Sequence, residues 1–198
     1  MIILGCGYLG QALARRYRQR GEPITGVVRS DESATAVAAA GAEPLQLDLT
    51  QDDLTSLALA GERVFHLAPP PNEGDGDALT AHLIDTFDRT GPPRRLVYIG
   101  TTGVYGDCGG AWVDESREPK PTAGRALRRW DAEERLRQWS RRSGAELVIL
   151  RVAGIYACDR LPLARIRSGQ PVVRADEAPW SNRIHAEDLV SVCERAMD

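Results

Sequence analysis

Three glycines in the run Gly5-Cys6-Gly7-Tyr8-Leu9-Gly10 have the spacing of a phosphate cradle. Gly5 permits a tight turn, Gly7 lets backbone N–H groups approach a pyrophosphate, and Gly10 lets the next helix pack closely on the preceding strand. An anion bound there faces the unsatisfied N–H groups and the positive dipole end of that helix. The apolar run Met1 to Leu4 precedes the loop and a helical-period segment, Leu9 to Arg20, follows it. This is the strand, turn and helix context that a dinucleotide fingerprint needs. Cys6, Tyr8 and Leu9 are therefore expected at the cofactor together with Gly5, Gly7 and Gly10.

The strand Ile24 to Val28 should end beside the adenosine ribose, and Arg29-Ser30 follows it. An acid at that place selects the ribose 2'-hydroxyl. Arg29 instead presents a planar fork of donors and Ser30 a hydroxyl, both suited to a 2'-phosphate. NADP is thus expected ahead of NAD, with Asp31 nearby working against the preference.

Short apolar runs alternate with helical-period segments along the remaining chain. Strands are expected at Pro44 to Leu47, Arg63 to Leu67, Arg95 to Gly100 and Glu146 to Arg151, with helices near Ser30 to Ala40, Ala78 to Thr90, Ala123 to Arg142 and Ala186 to Ala196. That order predicts an α/β fold: a Rossmann-type doubly wound parallel sheet with helices on both faces, in one domain over residues 1–198. Because the sequence stops at Asp198, the C-terminal substrate lobe is expected to be minimal or truncated, with residues 152–198 contributing part of the substrate side. The cleft should be open, and apolar surface left uncovered should favour a homo-oligomer.

The composition narrows the function classes. A net charge of -3 with acids and bases interspersed argues against nucleic acid as a partner. Cys6, Cys108, Cys158 and Cys193 lie far apart, so no metal site is expected and the thiols read as reduced, in a cytoplasmic protein. No stretch reads as a signal or a membrane span. A small-molecule substrate is the expected partner.

Beyond the glycine loop, the segments Leu47-Asp48-Leu49, Phe65-His66-Leu67-Ala68, Ile99 to Gly106 and Leu150 to Tyr156, with the later Asn182 to Asp188, together resemble the NAD-dependent epimerase/dehydratase family of extended short-chain dehydrogenases/reductases. The resemblance implies a Rossmann sheet, a small substrate lobe and a substrate such as a nucleotide sugar. It places Asp48 and Leu49 against the adenine, Leu67 and Ala68 along the cofactor cleft, and Thr101 at the position of the catalytic serine or threonine. Tyr156, Arg183 and His185 fall on its substrate side.

The sequence departs from this family where the proton is moved. Counting back from Glu133, the Tyr-x-x-x-Lys positions hold Arg125 and Arg129. Arginine stays protonated, so Arg125 cannot shuttle a proton, while Arg129 could still hold the nicotinamide ribose. Tyr105 and Tyr156 are the phenols left to consider. The pattern resembles an atypical branch of the superfamily that lacks the catalytic tyrosine. Two readings stand: an NADP-dependent oxidoreductase or epimerase acting on a hydroxyl or carbonyl carbon, and a non-catalytic NADP-binding sensor or assembly module. Trp130 and Trp139 read as core or interface residues, and Arg125, Arg128 and Arg129 as a solvated helix face.

Overall fold

The computed structural model describes residues 1–198 apart from 75, 175 and 179. Six strands form one parallel sheet: β1 (Ile2–Leu4), β2 (Thr25–Val28), β3 (Glu43–Gln46), β4 (Arg63–His66), β5 (Arg95–Thr101) and β6 (Glu146–Val152), in the order β3-β2-β1-β4-β5-β6. The crossover helices are α1 (Tyr8–Gln19), α2 (Asp31–Ala40), α3 (Ala78–Thr90) and α4 (Gly124–Ser143). Beyond β6 come β7 (Gly154–Tyr156), the short α5 (Leu163–Arg167), β8 (Arg183–His185) and α6 (Ala186–Met197), with β7 and β8 pairing in parallel as a small second sheet.

Alternation along the strands divides the core in two. Ile3, Phe65, Val97 and Ile99 point to one face, where Leu13 and Tyr17 of α1, Val37 of α2 and Leu189, Val190 and Cys193 of α6 cover them. Ile2, Leu4, Val64, Leu96 and Tyr98 point to the other, beneath Leu83 and Phe87 of α3 and Leu136 and Trp139 of α4. Trp139 is fully buried, its ring centroid 4.9 Å from that of Phe87 and its Nε1 donating to Asp88 at 3.1 Å.

The elements expected from periodicity form, with shifts of a residue or two at their ends. Ser30 is not the first helical residue of α2 but its cap, its Oγ accepting from Ser33 N at 3.3 Å. The short pieces β7, β8 and α5 carry no period long enough to read. Among the described residues, no helix is long and apolar enough to cross a membrane.

The strand order reverses direction between β1 and β4. Ligands of open α/β sheets bind outside the carboxyl ends of the strands at such a switch point. The glycine loop leaves β1 there, and Leu67-Ala68 leaves β4 beside it, the N–H groups of Leu67 and Ala68 donating to Leu4 O at 2.9 and 3.0 Å.

Candidate functional site

The three loop glycines differ in what surrounds them. Gly5 has φ +81° and a Cβ there would lie 2.6 Å from the Ala68 backbone, so the turn admits no side chain. A Cβ at Gly10 would lie 3.0 Å from Cys6 Sγ and 3.1 Å from Ile3 Cγ2, which is the close packing of helix on strand. At Gly7 a Cβ would meet nothing within 4 Å. The cradle is therefore open where the backbone should approach phosphate, and no side chain caps α1 in its place. This fits a dinucleotide pyrophosphate. Cys6 turns away from that opening: its N–H donates to Val27 O at 2.9 Å and its thiol, buried against α1 and β2, is pushed up to about 12 by burial. Leu9 packs into the core.

At the end of β2, Arg29 is exposed and its carbonyl accepts from Gln46 Nε2 at 3.1 Å. Ser30 uses its hydroxyl on the α2 cap, donating also to Ser33 Oγ at 3.0 Å. Asp48 accepts from both the N–H and the hydroxyl of Thr50, bonds that hold its carboxyl below the usual range, with a further contribution from Arg29. Leu49 is buried in the α3 face of the core, while Leu67 is half-buried and Ala68 buried beside Gly5.

The arginines of α4 correct the expectation of a solvated face. Arg129 is only 6% exposed, and its Nη1 lies within reach of Ile99 O at 2.8 Å, Tyr98 Oη at 3.1 Å and Ala68 O at 3.4 Å. It thereby joins the carboxyl ends of β4 and β5 to α4. Arg128 Nη1 donates to Gly74 O at 3.0 Å, and Arg125 alone of the three is exposed without a bond to the described residues. The reason is its place on α4: position 129 lies on the buried face with Ala126, Ala132 and Glu133, where the guanidinium finds the carbonyls of Ala68 and Ile99 in place of water.

Beneath Arg129 lies a group that the sequence did not single out. His66 is fully buried, with Nε2 3.0 Å from Thr80 Oγ1, which itself donates to Asp77 Oδ2 at 2.9 Å. Thr80 Oγ1 must then accept from His66, which makes the ring the neutral Nε2–H tautomer. Burial, helped by the Arg129 charge, pushes its pKa down to about 3.

Thr101 ends β5, its Oγ1 accepting from Gly103 N at 3.2 Å, and a short 3-10 turn carries the chain from there to Tyr105. Thr101 and Tyr105 line a cavity of about 1590 Å³ together with Arg151, Gly154 and Arg183. Arg151 places its guanidinium 4.8 Å from the Tyr105 ring centroid and is fixed by Glu133 of α4, whose Oε2 accepts at 2.9 and 3.0 Å. Glu133 was legible only as a motif acid; its burial and its pairing with Arg151 were not. Tyr156 stacks edge-on with His185, centroids 5.2 Å apart, and His185 caps α6 by accepting from Glu187 N at 3.3 Å. Arg183 packs over Gly154, and the pairing of β7 with β8 sets Tyr156 opposite His185, so the three side chains share this small sheet.

A parallel sheet in this order, with an open glycine cradle at its switch point, defines a Rossmann-type dinucleotide-binding protein. The sequence profile of the NAD dependent epimerase/dehydratase family matches residues 1–198, and the chain belongs to that family. It is 29% identical over 200 residues to Protein YeeZ of Escherichia coli K12, covering 95% of this chain and 69% of that protein. A conserved protein of unknown function from Silicibacter pomeroyi superposes with a TM-score of 0.81 at 32% identity, over 99% of this chain and 67% of the other. UDP-glucuronic acid 4-epimerase of Bacillus cereus, solved with UDP-glucuronic acid and NAD, shares the fold at TM-score 0.82 and 18% identity, over 100% of this chain and 73% of the epimerase.

Proposed function

We propose that this chain is an NADP-dependent oxidoreductase or epimerase acting at a hydroxyl or carbonyl carbon of a small molecule such as a nucleotide sugar. The observation that carries the reading is the single cavity shared by Thr101 and Tyr105 at the carboxyl edge of the sheet. Gly5, Gly7 and Gly10 with the first turn of α1 hold the pyrophosphate, Arg29 meets the 2'-phosphate, and Arg129 turns its remaining donors to the nicotinamide ribose. The nicotinamide supplies hydride exchange when bound. Thr101 donates a hydrogen bond to the substrate oxygen, and Tyr105 carries the proton, with Arg151 as the cation beside its ring. The nucleotide sugar held by the Bacillus cereus epimerase motivates the substrate class.

A second reading has its own observation. Arg125, at the position of the family's proton-carrying tyrosine, is exposed and permanently charged. That favours an NADP-binding sensor without turnover. The test is NADPH oxidation against a panel of carbonyl compounds and NADP reduction against nucleotide sugars. Turnover that falls about 100-fold or more in Thr101→Val and in Tyr105→Phe supports the enzyme. Tight NADP binding with no turnover on any substrate favours the sensor.

A further inference from the structure

The glycine loop makes one contact that its fingerprint does not require. Tyr8, the first residue of α1, donates its phenol to Asp159 Oδ1 at 2.9 Å, across 151 positions of sequence. Arg160 places its guanidinium carbon 4.5 Å from the Tyr8 ring centroid. Both partners belong to the 3-10 turn Cys158–Arg160, which has no buried residue of its own. The turn itself thus reaches Tyr8 through a hydrogen bond and a cation–ring contact rather than through apolar packing.

The charges around Tyr8 are unequal in availability. Asp159 receives the Tyr8 phenol, and the nearby Glu187 is paired with Arg16 at 3.0 Å. Arg160 forms no ion pair among the described residues. A pyrophosphate brings two negative charges, against about half a positive charge at the end of α1. The loop from Gly5 to Gly10 contains no lysine or arginine to make up the difference.

We propose that Arg160 is a ligand of the cofactor pyrophosphate, brought over the glycine loop by the Tyr8–Asp159 hydrogen bond. The backbone N–H groups of the first turn of α1 approach the anion from one side and the guanidinium fork of Arg160 from the other. Tyr8 acts as a positioning residue. The segment after β7 thus completes the cofactor site as well as forming the substrate side. This rests on the dinucleotide-binding reading given above.

Calorimetric titration with ADP-ribose, which carries the pyrophosphate, and with AMP, which carries one phosphate, tests the assignment. Arg160→Met is expected to weaken ADP-ribose binding about tenfold or more, to affect AMP by a much smaller factor, and to leave the melting temperature unchanged. Arg160→Lys should recover part of the loss, and the difference between Arg160→Met and the parent should shrink as salt is raised. Amide exchange at residues 158–160 should slow when ADP-ribose binds. Unchanged ADP-ribose affinity in Arg160→Met overturns the role of Arg160 while leaving the dinucleotide reading standing. An equal loss for AMP and ADP-ribose overturns the assignment to the pyrophosphate. Failure of the parent protein to bind ADP-ribose, NAD or NADP overturns both.

Discussion

Glu133 and Arg151 meet across the boundary between α4 and β6, with Glu133 Oε2 accepting from Arg151 Nε at 3.0 Å and Nη2 at 2.9 Å. The carboxylate is wholly shielded from solvent and takes a second cation, Arg137, at 3.2 Å. Burial alone would disfavour the charge on Arg151, but its bonds to Glu133 together with the neighbouring Tyr105 outweigh that and raise its pKa. The pair needs Gly100: a Cβ there would lie 2.9 Å from Glu133 Oε1.

Removing one partner of a buried pair strands the other. Glu133→Gln is expected to lower the unfolding free energy by about 3 kcal/mol. Gly100→Ala should cost about 1 to 3 kcal/mol by overpacking. In a Glu133→Ala background that second cost should fall by at least about 1 kcal/mol, since the clashing carboxylate is gone. Urea denaturation of the four proteins measures the coupling, and strict additivity would contradict the contact.

The glycine loop offers a separation of folding from binding. Gly7→Val projects into open space, so beyond about 1 kcal/mol for the poorer cap of α1 the fold should be kept while NADP and NAD binding is lost. Gly5→Ala should destabilise by at least about 1 to 2 kcal/mol, because φ +81° is costly for alanine and its Cβ meets the Ala68 backbone. Thermal melts paired with titrations distinguish the two kinds of loss.

His66 predicts an acid sensitivity with a defined sign. Its folded pKa is near 3 and its ordinary value is 6.5, so between these the unfolded chain binds a proton that the native state does not. Stability should therefore be unaffected by this group above pH 6.5 and fall as the pH drops from there toward 3, with a limiting slope of about 1.4 kcal/mol per pH unit. His66→Gln keeps a donor toward Thr80 and removes the titration. Unfolding free energies from pH 7 to pH 4 should show a shallower slope in the variant, whatever its absolute stability.

Arg29 and Ser30 should separate in their effects. Arg29→Asp is expected to weaken NADP about tenfold or more with little change for NAD, as a direct titration will show. Ser30→Ala should instead cost about 1 kcal/mol of stability through the lost cap of α2, and Ser30→Gly only a few tenths. Equal NADP and NAD affinities in the parent protein would remove the 2'-phosphate from Arg29.

The sheet and its crossover helices were legible because each long element carries its own period: α1 repeats Leu9, Leu13 and Tyr17 on one face, and β5 is apolar from Leu96 to Ile99 because helices cover both sides. The glycine loop was legible because its spacing has a mechanical cause. Arg129 was read as a surface cation because the carbonyls of Ala68 and Ile99 that it meets come from other elements. His66 looked like an ordinary strand residue, since its isolation depends on Thr80 and Asp77 arriving from α3. The Tyr8–Asp159 contact has no local signature at all, because nothing in either segment announces a partner 151 positions away.

The docking of α6 against α1 bears on how the chain comes to be folded during synthesis. Leu13 and Tyr17 of α1 share their cluster with Leu189, Val190, Cys193 and Met197, and Arg16 reaches Glu187 across 171 positions. A ribosome adding about 5 to 20 residues per second leaves this face of α1 bare for roughly 9 to 36 s after it emerges. During that interval the nascent chain displays an apolar stripe to chaperones. Substitutions in α6 such as Leu189→Asp should accordingly lower the yield of native protein in cells by prolonging chaperone association, before any question of cofactor arises.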